Sequence, residues 1–267
     1  MLTQNQVDLF HAFGFLHLRQ LFDAAEVRHI AALFDAAAAA ATPTADGALD
    51  PTSPPLRELR DWLLTQDDIY DIPRMLFGDD FIYEGMGCTY YAEDSPWHAD
   101  SAIVRWTFRH IKIALYLEPL AADSGCLRVI PGSHRDWLRL TDARWAKAPD
   151  WMSGVKNRDM VWQSPPWGLA PGEVPTMPVA TEPGDVLVFP EDLAHCTMNT
   201  RGPRRQIALA LMENPRTDEQ IFNLVQRQAY GGGSAYRPPI SMIEHDDPRI
   251  RRMVARMVEL GFPPVNL

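Results

Sequence analysis

The chain has 267 residues, of which 46% are hydrophobic and 22% are charged. This composition excludes an intrinsically disordered chain, a collagen and a small disulfide-stabilised scaffold. The 25 basic and 35 acidic residues give a formal net charge of −10. Such an acidic chain is a poor candidate for electrostatic binding to nucleic acid or anionic lipid, although a local basic patch is compatible with it.

The N-terminus and the cysteines indicate a compartment. The first ten residues have no basic start and no uninterrupted apolar run, unlike a secretory signal. The sequence contains no stretch of 18 apolar residues, so we expect no membrane span. Cys88, Cys126 and Cys196 are too few and too widely spaced for a disulfide framework, which favours a reducing compartment. We therefore expect a cytoplasmic protein without nucleic-acid or membrane partners, and the oligomeric state stays open.

Helices are predicted over most of the first 80 residues. Thr3 is a suitable N-cap for the first helix, and the segment GFLHL predicts a short strand. Asp23, with Glu26 three residues later, forms a capping-box pattern for a helix that continues to Ala41. Residues 42–55 predict a loop, and residues 56–78 predict a further helical region. Near the other end of the chain, residues 248–260 predict an amphipathic helix.

After residue 80, short runs rich in Ile, Val, Tyr and Phe alternate with Pro, Gly and Asp turns. Five runs predict strands: FIYEGMGCTYYA, HIKIALYLEPL, CLRVIPG, DVLVFPEDLAH and RRQIALALMENP. Their spacing favours an antiparallel sandwich or barrel over βαβ winding. Residues 137–178 are rich in Trp and Pro, which indicates either a surface excursion or a lid over a pocket. Residues 231–234 predict a flexible hinge.

A possible metal site begins at Trp97-His98-Ala99-Asp100. Two side chains that are two residues apart on an extended segment project to the same side. Two histidines and one carboxylate form the ligand set of non-haem Fe(II) oxygenases. An isolated His-x-Asp is common by chance, so a second histidine is needed. His195 is the best candidate because it follows a turn and a buried strand.

The remaining histidines have other interpretations. We expect structural roles for four of them, His11, His17, His29 and His245, while His134 lies in a predicted turn. Basic residues follow the His-x-Asp closely, and they either bind an anionic group of the substrate or form a solvated turn. These residues are Arg105, Arg109, His110 and Lys112.

An arginine pair follows His195 by nine and ten residues, at the start of a predicted strand. An arginine beside a metal would offer a planar fork to a carboxylate, which suits a dicarboxylate cosubstrate. The alternative is a surface pair at a strand edge. Because successive residues of a strand face opposite sides, the sequence leaves the choice between Arg204 and Arg205 open.

Four ordered segments resemble the phytanoyl-CoA dioxygenase family of Fe(II)/2-oxoglutarate oxygenases. They are W-H-A-D at 97–100, D-S-G-C-L-R-V-I-P-G-S-H at 123–134, G-D-V-L-V-F at 184–189 and H-C-T-M-N-T-R-G-P-R-R at 195–205. The resemblance implies an α+β, mainly β fold: a double-stranded β-helix, or cupin-like jelly roll, with helices packed outside. It implies one oxygenase domain over 1–267, with parts at 1–80 (helical support), 81–212 (jelly-roll core with a 137–178 insert or lid) and 213–267 (C-terminal extension with a helix).

The same resemblance implies roles for individual residues. His98, Asp100 and His195 would be the catalytic iron ligands. Arg204 would pair with the distal carboxylate of 2-oxoglutarate, and Thr197 would help to hold that cosubstrate. The segment between His195 and the arginine pair is about two residues shorter than the usual family pattern, so Arg205 stays an alternative.

The implied activity is that of a dioxygenase using Fe(II), 2-oxoglutarate and O2. It would hydroxylate an unactivated C–H of a small substrate, with release of succinate and CO2; an anionic substrate is one option. The presence of Asp100 favours hydroxylation or desaturation over halogenation. Two alternatives remain at this point: a Zn hydrolase using the same two histidines and aspartate, and a jelly-roll binding protein without catalysis.

Overall fold

The computed structural model describes residues 1–40, 43–44, 47–100, 107–135, 175–230 and 237–267. Its helices are α1 (Gln4–Phe13), α2 (Ala24–Ala40), α3 (Pro54–Thr65), α4 (Asp67–Phe77), α5 (Asp218–Tyr230), α6 (Ile240–Ile243) and α7 (Pro248–Glu259). Its strands are β1 (Leu16–Leu18), β2 (Phe81–Tyr91), β3 (Ser95–His98), β4 (His110–Tyr116), β5 (Leu127–Val129), β6 (Met177–Val179), β7 (Val186–Phe189), β8 (His195–Thr197) and β9 (Arg204–Glu213).

These strands form two antiparallel sheets. The five-stranded sheet has the order β1-β7-β4-β9-β2, and the four-stranded sheet has the order β3-β8-β5-β6. Every pairing between the named strands is antiparallel. The predicted combination of helices with antiparallel sheets is therefore confirmed.

Side-chain alternation gives the five-stranded sheet two different faces. On β4, Ile111 and Ile113 are fully buried in the main core, together with Ile30 and Phe34 of α2 and Leu59 of α3. Successive strand residues point to opposite faces, so the residues between these isoleucines face the second sheet. The helices thus cover the apolar face, and the other face is left for a cavity.

Both predicted N-caps are confirmed. The Thr3 hydroxyl accepts from the Gln6 amide, and the Gln6 side chain accepts from the Thr3 amide. The Asp23 carboxylate accepts from the Ala25 and Glu26 amides at 2.7 and 2.9 Å. These bonds satisfy backbone donors that no helical carbonyl reaches.

The helical region predicted at 56–78 is confirmed, and it consists of two helices, α3 and α4. Gln66 between them has extended backbone angles (φ −67°, ψ 125°). The acidic Asp67 and Asp68 then fall in the first turn of α4, where they interact favourably with the helix dipole. The apolar spacing in the sequence does not indicate where one helix ends and the next begins.

The segment DVLVFPEDLAH also differs from its prediction. It contains β7 and ends at His195, the first residue of β8, and these two strands lie in different sheets. A turn closed by the Leu193 amide on the Pro190 carbonyl, at 2.9 Å, redirects the chain between them. Helices α5 and α6 and strand β6 were not predicted. The predicted lid lies outside the described residues except for 175–178, and the hinge at 231–234 lies wholly outside them.

Among the described residues, no helix is both long enough and apolar enough to span a membrane. Cys88, Cys126 and Cys196 are buried with free thiols. Burial raises the pKa of Cys88 and of Cys196 to about 12. Both thiols therefore stay protonated at neutral pH.

A single buried carboxylate ties β1 to the start of β7. Asp185 accepts from His17 Nε2 at 2.7 Å, from the Gln20 amide at 2.9 Å and from the Glu182 amide at 3.1 Å. Burial alone would raise the pKa of Asp185, but these hydrogen bonds lower it to about 2. Folding therefore favours the ionised carboxylate.

We predict that Asp185→Asn lowers the free energy of unfolding by about 2 kcal/mol at pH 7, because charge-assisted bonds are lost. The contribution of Asp185 is complete above its unfolded pKa of 3.8 and disappears as the pH falls towards about 2. Urea unfolding at several pH values measures this. The difference between wild type and variant should shrink below pH 4, whereas the exposed control Asp79→Asn should change little. A difference that is independent of pH would contradict the assignment.

Candidate active site

Pairing of β3 with β8 brings the predicted ligands together. His98 lies opposite His195 in the antiparallel register, and their ring centroids are 4.2 Å apart. Asp100 Oδ1 lies 3.8 Å from His98 Nε2, and Asp100 Oδ2 lies 3.6 Å from His195 Nε2. One ligand atom from each residue lies within 4.8 Å of the other two. This spacing suits a single metal ion with two imidazole ligands and one carboxylate ligand.

The orientation of the His195 ring is set by the backbone. Its Nδ1 lies 2.8 Å from the Leu193 carbonyl, so Nδ1 carries the hydrogen and Nε2 keeps its lone pair towards Asp100. The Ala194 amide donates to Ser133 Oγ at 2.8 Å, and the Ile130 amide donates to the Ala194 carbonyl at 3.0 Å. Ser133 and Ile130 of the segment 123–134 therefore position the chain that enters β8.

Electrostatics place His195 and Asp100 in the protonation states that metal binding requires. Burial and the neighbouring His98 lower the pKa of His195 to about 3, so its ring is neutral near pH 7. Burial alone would raise the pKa of Asp100, but the nearby Lys112, His195 and His98 hold it well below its usual range. Lys112 Nζ lies 2.8 Å from Asp100 Oδ2. Little proton release is needed before an ion binds.

The two arginines of the pair have different surroundings. Arg204 is buried, lines the same cavity as the triad, and donates to Thr197 Oγ1 at 2.9 Å and to Thr200 Oγ1 at 2.7 Å. Arg205 instead pairs with Glu118 and Asp35. The register of β9 therefore brings Arg204 to the cavity, and the shorter spacing from His195 does not change the face.

A glycine of the second motif makes room for this arginine. Gly125 has φ +87°, and a Cβ there would lie 2.9 Å from Arg204 Nη1 and 2.8 Å from Thr200 Oγ1. Thr197 is held in turn by Ser95, whose amide donates to Thr197 Oγ1 at 2.8 Å. The motif residues around the arginine thus build a fitted cradle for the guanidinium.

A cavity of about 500 Å³ opens in front of the triad. Its lining on the five-stranded sheet includes four small residues, Gly85, Gly87, Ala208 and Ala210. A Cβ added at Gly85 or Gly87 would meet nothing within 4 Å. Small side chains on the inner face therefore leave space for a ligand beside the candidate metal site.

Among the described basic residues after the His-x-Asp, Arg109 and Lys112 each have an acidic partner. Arg109 pairs with Glu213 at 2.9 Å and donates to the Leu76 carbonyl at 2.6 Å, and it does not line the cavity. Lys112 does line the cavity, but its ammonium contacts Asp100. Arg105 lies outside the described residues. Arg109, which directly precedes β4, is therefore held by Glu213 and the Leu76 carbonyl and not at the cavity lining.

The histidines predicted to be structural lie apart from the triad. His17 pairs with Asp185, His29 packs edge-on against Trp62, and His245 lies 3.9 Å from Asp61. His134 Nε2 lies 3.3 Å from the His11 carbonyl.

Three further side chains near the motifs have core positions. Trp97 and Cys196 are buried together with Ile130 and Ala194. Tyr90 packs against Phe34 at 5.1 Å between ring centroids. Trp97 and Tyr90 are therefore core residues rather than cavity walls, and Cys196 does not join the candidate ligands.

Sequence reasoning missed several residues that shape the site. Gly125 and Ser133 lie in the recognised segment 123–134, but their contacts with Arg204 and with the Ala194 amide, like the contact of Ser95 with Thr197, join residues that are distant in the sequence. Lys112 did have a signal: it is a charged residue between apolar ones in H-I-K-I-A-L-Y. Within a buried strand, such a residue indicates a polar cavity on one face.

With this geometry established, known proteins provide a comparison. The phytanoyl-CoA dioxygenase family model matches residues 86–207. The predicted resemblance is confirmed, and the matched range contains the triad, Thr197 and both arginines.

A curated relative is the dioxygenase lolE1 of Epichloe uncinata, which is 27% identical over 100 residues. The match covers 37% of this chain and 31% of the relative, so the chain spans about a third of that protein.

Two solved structures share the fold. EvdO2 from Micromonospora carbonacea var. aurantiaca, complexed with 2-oxoglutarate, has a TM-score of 0.56 at 20% identity, covering 80% of this chain and 91% of that one. EctD from S. alaskensis with bound Fe has a TM-score of 0.57 at 20% identity, covering 79% and 77%. At these identities the likeness establishes the architecture.

We predict that Gly87→Val is tolerated and raises the free energy of unfolding by about 0.5 kcal/mol, because a β-branched residue replaces glycine where a Cβ meets open space. Gly125→Val should instead lower it by about 2 kcal/mol or more, because φ is positive and Arg204 is too close. Chemical denaturation of both variants measures the contrast. Equal destabilisation by the two substitutions would contradict the placement of the cavity.

Proposed function

We propose that the protein is an Fe(II)- and 2-oxoglutarate-dependent oxygenase. The observation that carries this proposal is the presence of the triad His98, Asp100 and His195 and the buried Arg204 on one cavity. The matching family and the fold shared with a 2-oxoglutarate complex and an Fe-bound protein support it. We also propose that residues 1–267 form one domain and that the two sheets form a double-stranded β-helix.

The donor set fits ferrous iron. Two neutral imidazoles and one carboxylate suit Fe(II) and leave coordination positions open. His195 would bind through Nε2, since its Nδ1 donates to the Leu193 carbonyl. Bound iron would supply the activation of O2 coupled to oxidative decarboxylation of 2-oxoglutarate. Lys112 holds Asp100 in place by its contact with Oδ2.

Arg204 and Thr197 would hold the cosubstrate. The planar guanidinium offers a fork for the distal carboxylate of 2-oxoglutarate, and the Thr197 hydroxyl lies beside it at 2.9 Å. Burial makes such an ion pair stronger than it would be in water. Gly125 leaves room for the guanidinium of Arg204. The centroid of the Tyr91 ring lies 5.6 Å from its Cζ, which allows a cation–π contact.

The reaction outcome that we propose is hydroxylation of an unactivated C–H in a small molecule. Asp100 supplies the carboxylate ligand that is absent where a halide takes its place. The small residues Gly85, Gly87, Ala208 and Ala210 leave space for the substrate beside the triad. A zinc hydrolase would have no use for Arg204 and its fitted cradle, so the structure favours the oxygenase.

We predict Fe(II)-dependent formation of succinate from 2-oxoglutarate, stimulated by a substrate from a screen of amino acids, alkyl phosphonates, acyl thioesters and secondary metabolites. Alanine at His98, Asp100 or His195 should abolish it and weaken Fe(II) binding by about 100-fold or more, since a ligand is lost. Anaerobic titration calorimetry measures the binding. His29→Ala, away from the site, is the control. Unchanged Fe(II) affinity in all three variants would overturn the assigned triad, and Zn-dependent hydrolysis without 2-oxoglutarate would favour the other enzyme class.

We further predict that Arg204→Met weakens 2-oxoglutarate binding by about 10- to 100-fold, because charge-assisted hydrogen bonds to the distal carboxylate are lost. Arg205→Met is the matched control, because that side chain pairs with Glu118 and Asp35 instead. Calorimetric titration of 2-oxoglutarate into the metal-loaded protein separates them. A larger loss in the Arg205 variant would show that the assigned register is wrong.

A further inference from the structure

The arginine and lysine side chains on the cavity differ in whether a carboxylate matches their charge. Among the described residues, four of them line the cavity: Arg60, Lys112, Arg204 and Arg237. Two of these charges have a carboxylate oxygen 2.8 Å away, which belongs to Asp61 for Arg60 and to Asp100 for Lys112. Their charge is therefore used within the protein.

The other two arginines, Arg204 and Arg237, form no ion pair in the part of the chain that the structure describes. The chain has 35 acidic residues and 25 basic ones, so a shortage of carboxylates does not explain this. A guanidinium keeps its charge at neutral pH, and a planar oxyanion is its best partner. Arg204 is assigned above to the distal carboxylate of 2-oxoglutarate. We propose that Arg237 binds an anionic group of the substrate, a carboxylate or a phosphate, an inference that rests on the proposed function.

Backbone carbonyls hold the guanidinium of Arg237 in one orientation. Its Nε donates to the Pro263 carbonyl at 3.0 Å, and its Nη2 donates to the Pro264 carbonyl at 2.7 Å. These bonds use two of the five N–H donors of the guanidinium, and both hydrogens of Nη1 are among those that are left. Carbonyl groups are neutral, so they orient the side chain without cancelling its charge. A fork that is already oriented suits recognition of a carboxylate or a phosphate.

The segment that carries Arg237 is part of a hydrogen-bonded wall of the cavity. The Val265 amide donates to the Pro238 carbonyl at 3.1 Å. Arg60 of α3 donates to the Leu267 carbonyl at 3.3 Å, which ties the same wall to the helical layer. Arg237 is itself partly buried. It is therefore a positioned side chain that faces a lined space.

The two unmatched arginines belong to different ends of β2. Arg204 is paired with Tyr91, the last residue of that strand. The wall around Arg237 includes Arg60, which lies near Tyr83 at the other end of the strand. Burial raises the pKa of Tyr83, and the nearby charge of Arg60 opposes this rise. Tyr83 and Tyr91 both line the cavity, so the cavity extends along β2.

Strand register places the triad at a level between these ends. Lys112, whose ammonium contacts Asp100, is paired with Ala210, and Ala210 is paired with Gly85 of β2. Asp100 therefore lies at the level of Gly85, between Tyr83 and Tyr91. A substrate whose anionic group bound Arg237 would extend into the cavity towards the triad, while 2-oxoglutarate approached from the Arg204 side.

The lining contributed by α3 and by the wall is otherwise largely apolar, with Leu56, Pro239 and Leu267. Sites for small molecules typically combine an apolar lining with a few polar groups that fix orientation. The substrate class that fits is a small molecule with an apolar body and one anionic group.

Calorimetric titration of the full chain with octanoate, octyl phosphate and neutral octanamide tests the proposal. The wild type should bind at least one of the two anions about 10-fold or more tighter than octanamide, because only an anion forms charge-assisted bonds. Arg237→Gln keeps N–H donors for the carbonyls but removes the charge. It should weaken binding of the anion by about 10- to 100-fold and leave the affinities for octanamide and 2-oxoglutarate unchanged.

Two further variants serve as comparisons. Arg204→Met should lose affinity for 2-oxoglutarate and keep its affinity for the anion. Arg109→Gln is the matched control, because Arg109 pairs with Glu213 and does not line the cavity. Arg237→Lys keeps the charge without the planar fork, so it should lose less affinity for the anion than Arg237→Gln, which a purely structural role of Arg237 would not produce.

The outcomes separate this site from the cosubstrate site. Absence of anion binding, equal affinity of the wild type for the anions and octanamide, or unchanged anion binding in Arg237→Gln would each overturn the inference. Loss of the anion in Arg204→Met alone would assign it to the cosubstrate site and overturn the inference as well. Anion binding that depends on Arg237, in a wild type that does not bind 2-oxoglutarate, would support the anion site and contradict the proposed function. Circular dichroism checks folding, and Arg237→Met replaces Arg237→Gln if that variant does not fold.

Discussion

The antiparallel pairing of β3 with β8 is the interaction on which the site depends. It places His98 opposite His195, and the chain then carries Asp100 between the two rings. Burial alone would protonate that carboxylate, and the surrounding positive charge, with Lys112 foremost, keeps it ionised. The same burial keeps His195 neutral. The strand pairing thus fixes the geometry of the ligands, while burial and charged neighbours set the protonation of Asp100 and His195.

The five-stranded sheet meets two requirements with one alternating pattern. Ile111 and Ile113 of β4 bury their side chains against the helices, whereas Lys112 between them lines the cavity. Small residues on the inner face leave space without weakening the apolar face, because the two sets never compete for the same side. The helical layer supplies stability, and the inner face is free to carry charge.

One of the sequence motifs, the segment 123–134, acts by positioning. Gly125 leaves room for the guanidinium of Arg204, and Ser133 holds the backbone that leads into His195. Neither residue belongs to the proposed ligand set. A Cβ at Gly125 would lie too close to Arg204, and the Ser133 hydroxyl accepts from the Ala194 amide, so both residues act by space and hydrogen bonding.

The sequence determined what depends on local order: the capping boxes at Thr3 and Asp23, the alternating strands and the spacing of His98 and Asp100. It could not choose between Arg204 and Arg205, because that choice depends on which face of β9 meets the second sheet. Nor could it show the break between α3 and α4. It also could not show that Glu84 of β2 and Glu191 after β7 lie beside His110 of β4. Local patterns record periodicity, whereas convergence of distant segments depends on strand register and packing, which only the tertiary structure decides.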